Sequence, residues 1–470
     1  MISDQLLTRF TGIVGEKNAL TEADDLTHYT HENRDIVVGK TPLVLKPGST
    51  QEVSEIIKLA AATKTAIVPQ GGHTGHVAGG VPDESGTQIV IALERMNRIR
   101  EVDLQGNVLV CEAGCILETI QNVATENDRL FPLSLGAQGS CQIGGNIATN
   151  AGGTGVLAYG NTRALVMGLE VVLPSGEIWN GLRRLKKDNT GYDLKDLFIG
   201  SEGTLGIITA AILKLFPQPR GKSVAFCGLE TPKNAVRFLN LALISAGSGL
   251  TTFELMARIP MEFTFKHMKG VRNPMSEIYP WNVLLEISSN RSDEDAAEIM
   301  QAILEDALEH ELIVDAVPSS SLQQVADFWR IRETMPTAQK HEGASIKHDI
   351  ALPVHRIPEF LDQAGAAVLN IEPDARLCTF GHLGDGNLHY NISKPESADP
   401  KYFLSMQPKI SEQVNRLVVE MDGSIAAEHG VGRLKRDLLA QTKNPTELAL
   451  MRAIKNAFDP KNIMNPGKLV

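Results

Sequence analysis

Two histidines, His382 and His389, flank an Asp385-Gly386 pair in the run CTFGHLGDGNLHYNI, residues 378–392. Asp-Gly between strand-like residues signals a two-residue type I′ hairpin turn. Counting outward from such a turn pairs Gly384 with Asn387, Leu383 with Leu388, and His382 with His389. Directly opposed residues share one face of a sheet, with Cβ atoms about 4.5–5.5 Å apart. Two imidazoles so placed could converge on one cation, and Asn391, two residues past His389, falls on the same face. The plain alternative is a cross-strand pair that only stacks or faces solvent, so a third ligand matters. The run SIAAEHGVGRLKRD offers Glu428 beside His429, at the end of an apolar stretch and before a glycine turn. Two histidines and a carboxylate suit Zn²⁺, Mn²⁺ or Fe²⁺ with coordination positions left open. Spacing alone does not bring Glu428 to the hairpin.

A second chemistry is written in glycine. Thirteen of the 41 glycines fall within 71–80 and 136–160, a density that implies positive-φ backbone or backbone closely approached by another group. The runs are PQGGHTGHVAGG (69–80), SLGAQGSCQIGGNIATNAGGTGVLAYGNTRALVMGLEVVLPSGEI (134–178) and GYDLKDLFIGSEGTLGIITAAILKLFP (191–217). They contain no P-loop string, and Gly384-Asp385-Gly386 and Gly430-Val431-Gly432 lack the third glycine of a Rossmann fingerprint. A nucleoside triphosphate or nicotinamide site of either standard kind is disfavoured. Consecutive backbone N–H groups in GGHTG could still form a nest for a diphosphate; tight turns in a β-rich domain are the alternative.

The elements that must position these residues can be read around them. Residues 43–68 read as strand, helix, strand. Ser49 and Glu52 make a capping box, and Val53, Ile56, Ile57 and Ala60 mark one helical face. Such a parallel unit puts the 69–80 loop at the carboxyl end of a strand, where α/β proteins bind ligands. From 221 to 376 the glycines thin out, and strand-like NVLLEISS alternates with helix-like DEDAAEIMQAILEDALEH, as in a separate α+β domain. In the tail, Leu448, Met451, Ile454 and Phe458 are spaced for one helical face.

Composition narrows the class. At 470 residues, two or three domains are expected. A formal net charge of −11 disfavours nonspecific attraction to nucleic acid or anionic membranes. No stretch nears the ~20 apolar residues of a membrane span, and the N-terminus lacks the pattern of a secretory signal. Five cysteines, an odd number, argue for reduced thiols, with Cys111 and Cys115 as small buried hydrophobes. These readings point to a cytoplasmic enzyme or binding protein. His341, His348 and His355 recur at seven-residue intervals but straddle SIKHDIALP, which is not one helix, and are read as structural or surface residues.

Taken together and in order, PQGGHTGHVAGG, GGNIATNAGG with YGNTRALVMGLEVVLPSGE, and FIGSEGTLGIIT resemble the three FAD-contacting segments of the vanillyl-alcohol-oxidase (PCMH-type) flavoproteins. More narrowly, from about residue 25 onward the chain resembles the FAD-linked D-2-hydroxyacid dehydrogenases: the D-lactate, D-2-hydroxyglutarate and glycolate enzymes. The resemblance implies an α+β fold. A PCMH-type FAD-binding domain would span 1–217, with its core from about 38; a substrate (cap) domain with an antiparallel sheet and the metal site would span 218–430. A C-terminal helical segment, 431–470, would pack back on the FAD domain. Pro69, Gly71, Gly72, His73, Thr74 and Gly75 would wrap the FAD diphosphate, and Ser140, Gly144, Gly145, Asn146, Thr149 and Asn150 would lie along the cofactor. Glu202, Gly203, Gly206 and Ile208 would sit near its adenine half.

The resemblance makes His382, His389 and Glu428 the ligands of a divalent metal, Zn or Mn, and His429 the catalytic base. Arg332, Lys347 and Asn391 match substrate-binding positions. The implied reaction oxidises a D-2-hydroxyacid to its 2-oxoacid, with hydride passing from the substrate α-carbon to flavin N5. The partners would be a small D-acid, an electron acceptor (quinone, electron-transfer flavoprotein or cytochrome) and a second copy in a homodimer. Two departures stand out. Many relatives carry Asn or Gly at His73, which some wider relatives use for covalent flavin attachment; a noncovalent flavin is expected here. Pro336 replaces a threonine found four residues after the matching arginine in some D-2-hydroxyglutarate dehydrogenases, which weakens the case for a second substrate carboxylate. Alternative readings are a glycolate oxidase subunit, an alkyl-dihydroxyacetone-phosphate-synthase-like flavoenzyme, and a flavin-free metallohydrolase.

Overall fold

A computed structural model describes residues 2–470 apart from Asn33 and Asp35. The chain divides into two compact units. The first comprises Met1–Gly152, Gly160–Pro217 and Glu428–Val470; the second comprises Gly153–Tyr159 and Gln218–Ala427. Among the described residues no helix is long and apolar enough to cross a membrane.

The first unit contains a four-stranded sheet and a five-stranded one. In the smaller, the strands Val44–Leu45 and Ala66–Gln70 flank the helix Thr50–Thr63 in sequence. They do not pair with each other: Gln88–Ala92 lies between them, parallel to both. Every residue of that inserted strand is buried, which suits a central position. Ser49 caps the helix by accepting from the Glu52 amide, while the Glu52 carboxylate reaches back to the Gly48 amide, one residue beyond the reciprocal bond of a capping box. Val53, Ile56, Ile57 and Ala60 are fully buried. The larger sheet is antiparallel and runs Ile99–Asp103, Val108–Glu112, Ile207–Lys214, Val166–Val172, Ile178–Gly181.

The end of the chain is tied into this unit by polar bonds as well as packing. Met464 bridges to Ile67 in parallel. The buried Lys455 ammonium donates to the carbonyls of Thr204 and Met464, and Asn465 Nδ2 donates to the carbonyls of Gly79 and Glu202.

The second unit is built on one eight-stranded antiparallel sheet: Asp315–Pro318, Gly221–Leu229, Trp281–Ser289, Leu250–Ala257, Arg376–His382, Asn387–Ser393 and Ser345–Ile346, with Asp349–Ala351 also on Asn387–Ser393. The helices Arg258–His267 and Leu322–His341 contribute Met261, Phe263, Phe328, Ile331 and Met335 to a core shared with Met256, Cys378 and Phe380 of the sheet.

The hairpin differs from the two-residue turn expected above. Leu383–Asp385 form a single 3₁₀ turn closed by Gly386 at φ 84°. The Asp385 carboxylate accepts from the Asn387 amide, a local bond of the kind that favours such turns. The loop is therefore longer, and His389 faces Phe380 instead of His382. His382 instead registers with Glu254 on its other side. The slip is by two residues, which preserves the side-chain alternation. Both imidazoles stay on one face as diagonal neighbours, their ring centroids 5.7 Å apart at 79°.

Candidate functional site

The carboxyl end of Ala66–Gln70 opens into a cavity of the first unit with about 1100 Å³ of empty space, its open mouth included. Pro69, Gly71, Gly72, His73, Thr74 and Gly75 line it, with Gly144, Gly145, Asn146, Thr149, Glu202, Gly203, Gly206 and Ile208. Ser140 and Asn150 do not. Ser140 is exposed, and the Asn150 side chain accepts from the Arg163 amide.

The wall is made of closely approached, partly strained backbone. A Cβ on Gly72 would lie 2.1 Å from the Ser140 carbonyl oxygen, so only glycine lets those two loops meet. His73, Ala78 and Glu202 hold φ values of 57°, 55° and 52°, left-handed geometry that non-glycine residues seldom adopt. Three buried acceptors, Gln70 Oε1, Gln142 Oε1 and Asn146 Oδ1, have no partner among the described residues, yet all three residues line the cavity. Buried polar atoms are nearly always satisfied. The N–H and hydroxyl donors of a flavin dinucleotide suit these acceptors, and the residues present fit FAD.

Two lining residues turn out to serve the wall itself. The buried Glu202 carboxylate accepts from the amides of Val431 and Gly432, at 2.8 and 2.6 Å. Burial raises its pKa, and those two amides only partly offset the effect. The His73 ring bonds through Nε2 to the His31 carbonyl, and burial lowers its pKa. His429 also lines the cavity, edge-on to the His76 ring at 4.9 Å between centroids. Glu428 precedes it, partly buried, in the same unit.

The second unit assembles a different cluster. Glu254, in the all-buried strand Leu250–Ala257, has 1% of its side chain exposed. Its Oε1 meets His382 Nδ1 at 2.5 Å and its Oε2 accepts from Arg332 Nε at 2.6 Å. Burial would raise this carboxyl, but the charges and hydrogen bonds of His382 and Arg332 outweigh it and hold the pKa at about 2. The Arg332 guanidinium lies 4.9 Å from the Phe380 ring centroid, and its buried Nη2 has no hydrogen-bond partner among the described residues. His389 Nδ1 stands 4.0 Å from the Asp349 carboxylate. Asp385, close by, is pushed up to about 6 by burial, with the His382 charge working against the rise.

Among the remaining expected residues, Asn391 is buried and gives an amide hydrogen to Gln339 Oε1 at 3.0 Å. Lys347 is exposed, on the link before Asp349–Ala351. Pro336 sits inside the helix Leu322–His341 and leaves the Arg332 carbonyl without its i+4 amide donor. His348 bonds to the Tyr390 carbonyl and Ser411 hydroxyl, His341 is exposed and stacks on His267, and His355 is exposed. Sequence reasoning missed Glu254, Gln70 and Gln142. For Glu254 the signal was present: one carboxylate inside the apolar strand LTTFELMA demands partners.

Comparison with known proteins places these features in a lineage. A family model described as "FAD binding domain" matches residues 41–181, and one described as "FAD linked oxidases, C-terminal domain" matches 218–469. D-2-hydroxyglutarate dehydrogenase, mitochondrial, of Arabidopsis thaliana is 38% identical over 467 residues, covering 98% of this chain and 80% of the relative. D-2-hydroxyglutarate dehydrogenase of Xanthomonas citri pv. viticola is 38% identical over 452 residues, covering 96% and 93%. The plant relative is named as mitochondrial, which does not match the cytoplasmic location expected above; the bacterial relative's name carries no compartment. Among solved structures, p-cresol methylhydroxylase with substrate bound has a TM-score of 0.78 at 16% identity, covering 99% of this chain and 96% of that one. An alkyldihydroxyacetonephosphate synthase has a TM-score of 0.76 at 15% identity, covering 99% and 85%. At such identities the likeness concerns the fold.

Proposed function

Because the chain belongs to the FAD-linked oxidase family and is an oxidoreductase, we propose that it oxidises a D-2-hydroxyacid to the 2-oxoacid with help from a divalent cation. One observation carries the reading. In the second unit one carboxylate, Glu254, holds both His382, one of a same-face imidazole pair with His389, and the buried guanidinium of Arg332, whose Nη2 has no partner among the described residues. Such a group can meet both a cation and an organic carboxylate, the two features that a 2-hydroxyacid site needs.

The donor chemistry fits a metal. His382 commits Nδ1 to Glu254, so a cation would be met by Nε2, the pattern of ligand histidines whose other nitrogen is fixed by a carboxylate. His382, His389 and Glu428 would hold the ion, and a His₂-carboxylate set suits Zn²⁺ or Mn²⁺. When bound, FAD accepts two electrons from the substrate carbon, and a divalent ion makes a nearby hydroxyl more acidic.

The chain's own residues do the rest. Arg332 donates Nη2 to the substrate carboxylate, a charge-assisted bond stronger than a neutral one, with Lys347 and Asn391 as further anchors. His429, on the wall of the flavin cavity, takes the hydroxyl proton; an imidazole exchanges protons readily near neutral pH. The flavin is held noncovalently, a reading supported by the bond between the His73 ring and the His31 carbonyl. Pro336, one helical turn from Arg332, brings no side-chain donor, and the substrate is D-2-hydroxyglutarate, D-lactate or a similar D-acid.

The test is a panel of D- and L-2-hydroxyacids, including D-lactate and D-2-hydroxyglutarate, with an artificial electron acceptor before and after EDTA. Turnover of one or more D-acids, lost with EDTA and restored by Zn²⁺ or Mn²⁺, is expected. Full turnover after EDTA removes the metal from the proposal, and a colourless protein without turnover on any acid removes the oxidation.

A further inference from the structure

Glu254 was not among the residues expected to do chemistry, yet it is the most fully buried member of its cluster and hydrogen-bonds both His382 and Arg332. Its partners are both donors. His382 gives Nδ1–H to Oε1 and Arg332 gives Nε–H to Oε2. The strand register holds it there: Glu254 lies directly opposite His382 in the pairing of Leu250–Ala257 with Arg376–His382. Arg332 arrives from the helix Leu322–His341, which packs on that sheet.

We infer that Glu254 is a positioning residue which sets the cation-binding tautomer of His382 and the carboxylate-binding orientation of Arg332 at once. The inference rests on the functional reading above and extends it to a residue outside the metal ligands and substrate anchors. A neutral imidazole carries one N–H. If Nδ1 holds it, Nε2 presents a lone pair; if the carboxylate is lost, that commitment ends. On the other side, Nε is the root of the guanidinium fork, and fixing it fixes the plane in which Nη2 is presented.

Glutamine makes the requirement visible because it keeps size and removes one acceptor. Its amide has one acceptor oxygen and one NH₂. Against two donors, one partner must then face a donor. Either His382 turns to its other tautomer, with Nε2 protonated, or Arg332 loses the bond that orients it. An ordinary structural carboxylate would not affect metal and substrate binding together.

The experiment compares wild-type holoenzyme, Glu254→Gln and His382→Ala. Zn²⁺ affinity is measured by competition with a chromophoric chelator, and kcat and KM with the D-acid that the wild type turns over, at saturating Zn²⁺. For Glu254→Gln we expect Zn²⁺ binding 10–100-fold weaker, the range for loss of such a supporting bond. We also expect KM raised about tenfold or more after Zn²⁺ is restored, with kcat recovering to within a few-fold. His382→Ala should lose Zn²⁺ binding further. If His382→Ala loses Zn²⁺ while Glu254→Gln binds Zn²⁺ and acid like wild type, the inference is overturned and the functional reading stands. An effect of Glu254→Gln on only one of the two affinities shows which donor the amide oxygen kept, and Glu254→Leu, which offers neither acceptor, must then weaken both; Glu254→Leu weakening only one overturns the inference. If His382→Ala keeps wild-type Zn²⁺ affinity, the metal reading itself fails and the inference falls with it. Should Glu254→Gln not fold, the wild type decides: with ¹⁵N-histidine labelling and His382 assigned by its loss in His382→Ala, Nδ1 must carry a proton. An unprotonated Nδ1 overturns the inference.

Discussion

A methyl group on Gly72 would sit 2.1 Å from the Ser140 carbonyl oxygen, 2.9 Å from Cys141 Cα and 3.0 Å from the Ser140 carbonyl carbon. Close carbon–oxygen contacts normally stop at about 3.3 Å, so roughly 1 Å of overlap must be relieved. All three obstructing atoms are backbone, and no side chain can swing aside. Gly72→Ala must therefore push the 71–75 loop and the 140–141 backbone apart, at the cost of about 1–3 kcal/mol usual for overpacking. Because these loops wall the cavity that we propose holds the flavin, the same displacement is expected to weaken FAD binding about 5–150-fold, each 1.4 kcal/mol being tenfold. Gly75→Ala is the control, since a Cβ there meets nothing within 4 Å. The assay pairs urea unfolding of apoprotein with FAD titration by quenching of flavin fluorescence. Gly72→Ala should lower both apoprotein stability and FAD affinity. Gly75→Ala should leave apoprotein stability within about 0.5 kcal/mol, so any FAD loss there reports contact with the cofactor. Apoprotein stability and FAD affinity of Gly72→Ala both equal to wild type would refute the reasoning.

Other consequences follow from the same structure. Glu202→Gln leaves one of the Val431 and Gly432 amides facing a donor. A loss of about 1–3 kcal/mol and faster hydrogen exchange or proteolysis over 431–470 are expected, and unchanged exchange there would count against that anchor. The Glu342 carboxylate meets Lys266 and His267 at 2.7 and 2.5 Å, and Arg376 as well. Burial acts to raise its pKa, but those three partners hold it at about 2. A depressed carboxyl contributes stability fully above its ordinary value of about 4.3, and that contribution fades as pH falls toward 2. Glu342→Gln should thus cost about 1–2 kcal/mol at neutral pH, after discounting for solvent screening. The gap from wild type in urea midpoint should close between about pH 4.5 and pH 2; a gap independent of pH would remove the ionic explanation. All five cysteines are buried, so a thiol reagent should label none promptly in the native protein and five after denaturation.

The sequence was most legible where one residue's chemistry has a local solution. Ser49 caps its helix as a serine before an apolar periodic run must, and the glycines of 71–75 line a cavity at the end of a strand. The histidine pair survived a wrong turn assignment because a two-residue slip keeps alternate side chains on the same face. What was hidden depended on distant segments. Asp385 bonding to the Asn387 amide, and Gly386 pressed against the Leu352 carbonyl at a distance only glycine tolerates, lengthened the loop. The strand Gln88–Ala92 entered between two strands that are neighbours in sequence order. Ser140 and Asn150 share their motifs with cavity-lining residues, but lie outside the lining. Glu254 is separated from His382 by 128 residues and from Arg332 by 78, so its pairing could not be read from spacing, although a lone carboxylate in an apolar strand announced that partners exist.

The most direct measurement of the central claim is anaerobic flavin absorbance near 450 nm in the purified holoenzyme, mixed with the D- and then the L-isomer of each 2-hydroxyacid. Rapid bleaching by at least one D-acid, little by its L-isomer, and slower bleaching after chelator treatment are expected. A flavin that stays yellow with every D-acid would contradict the account.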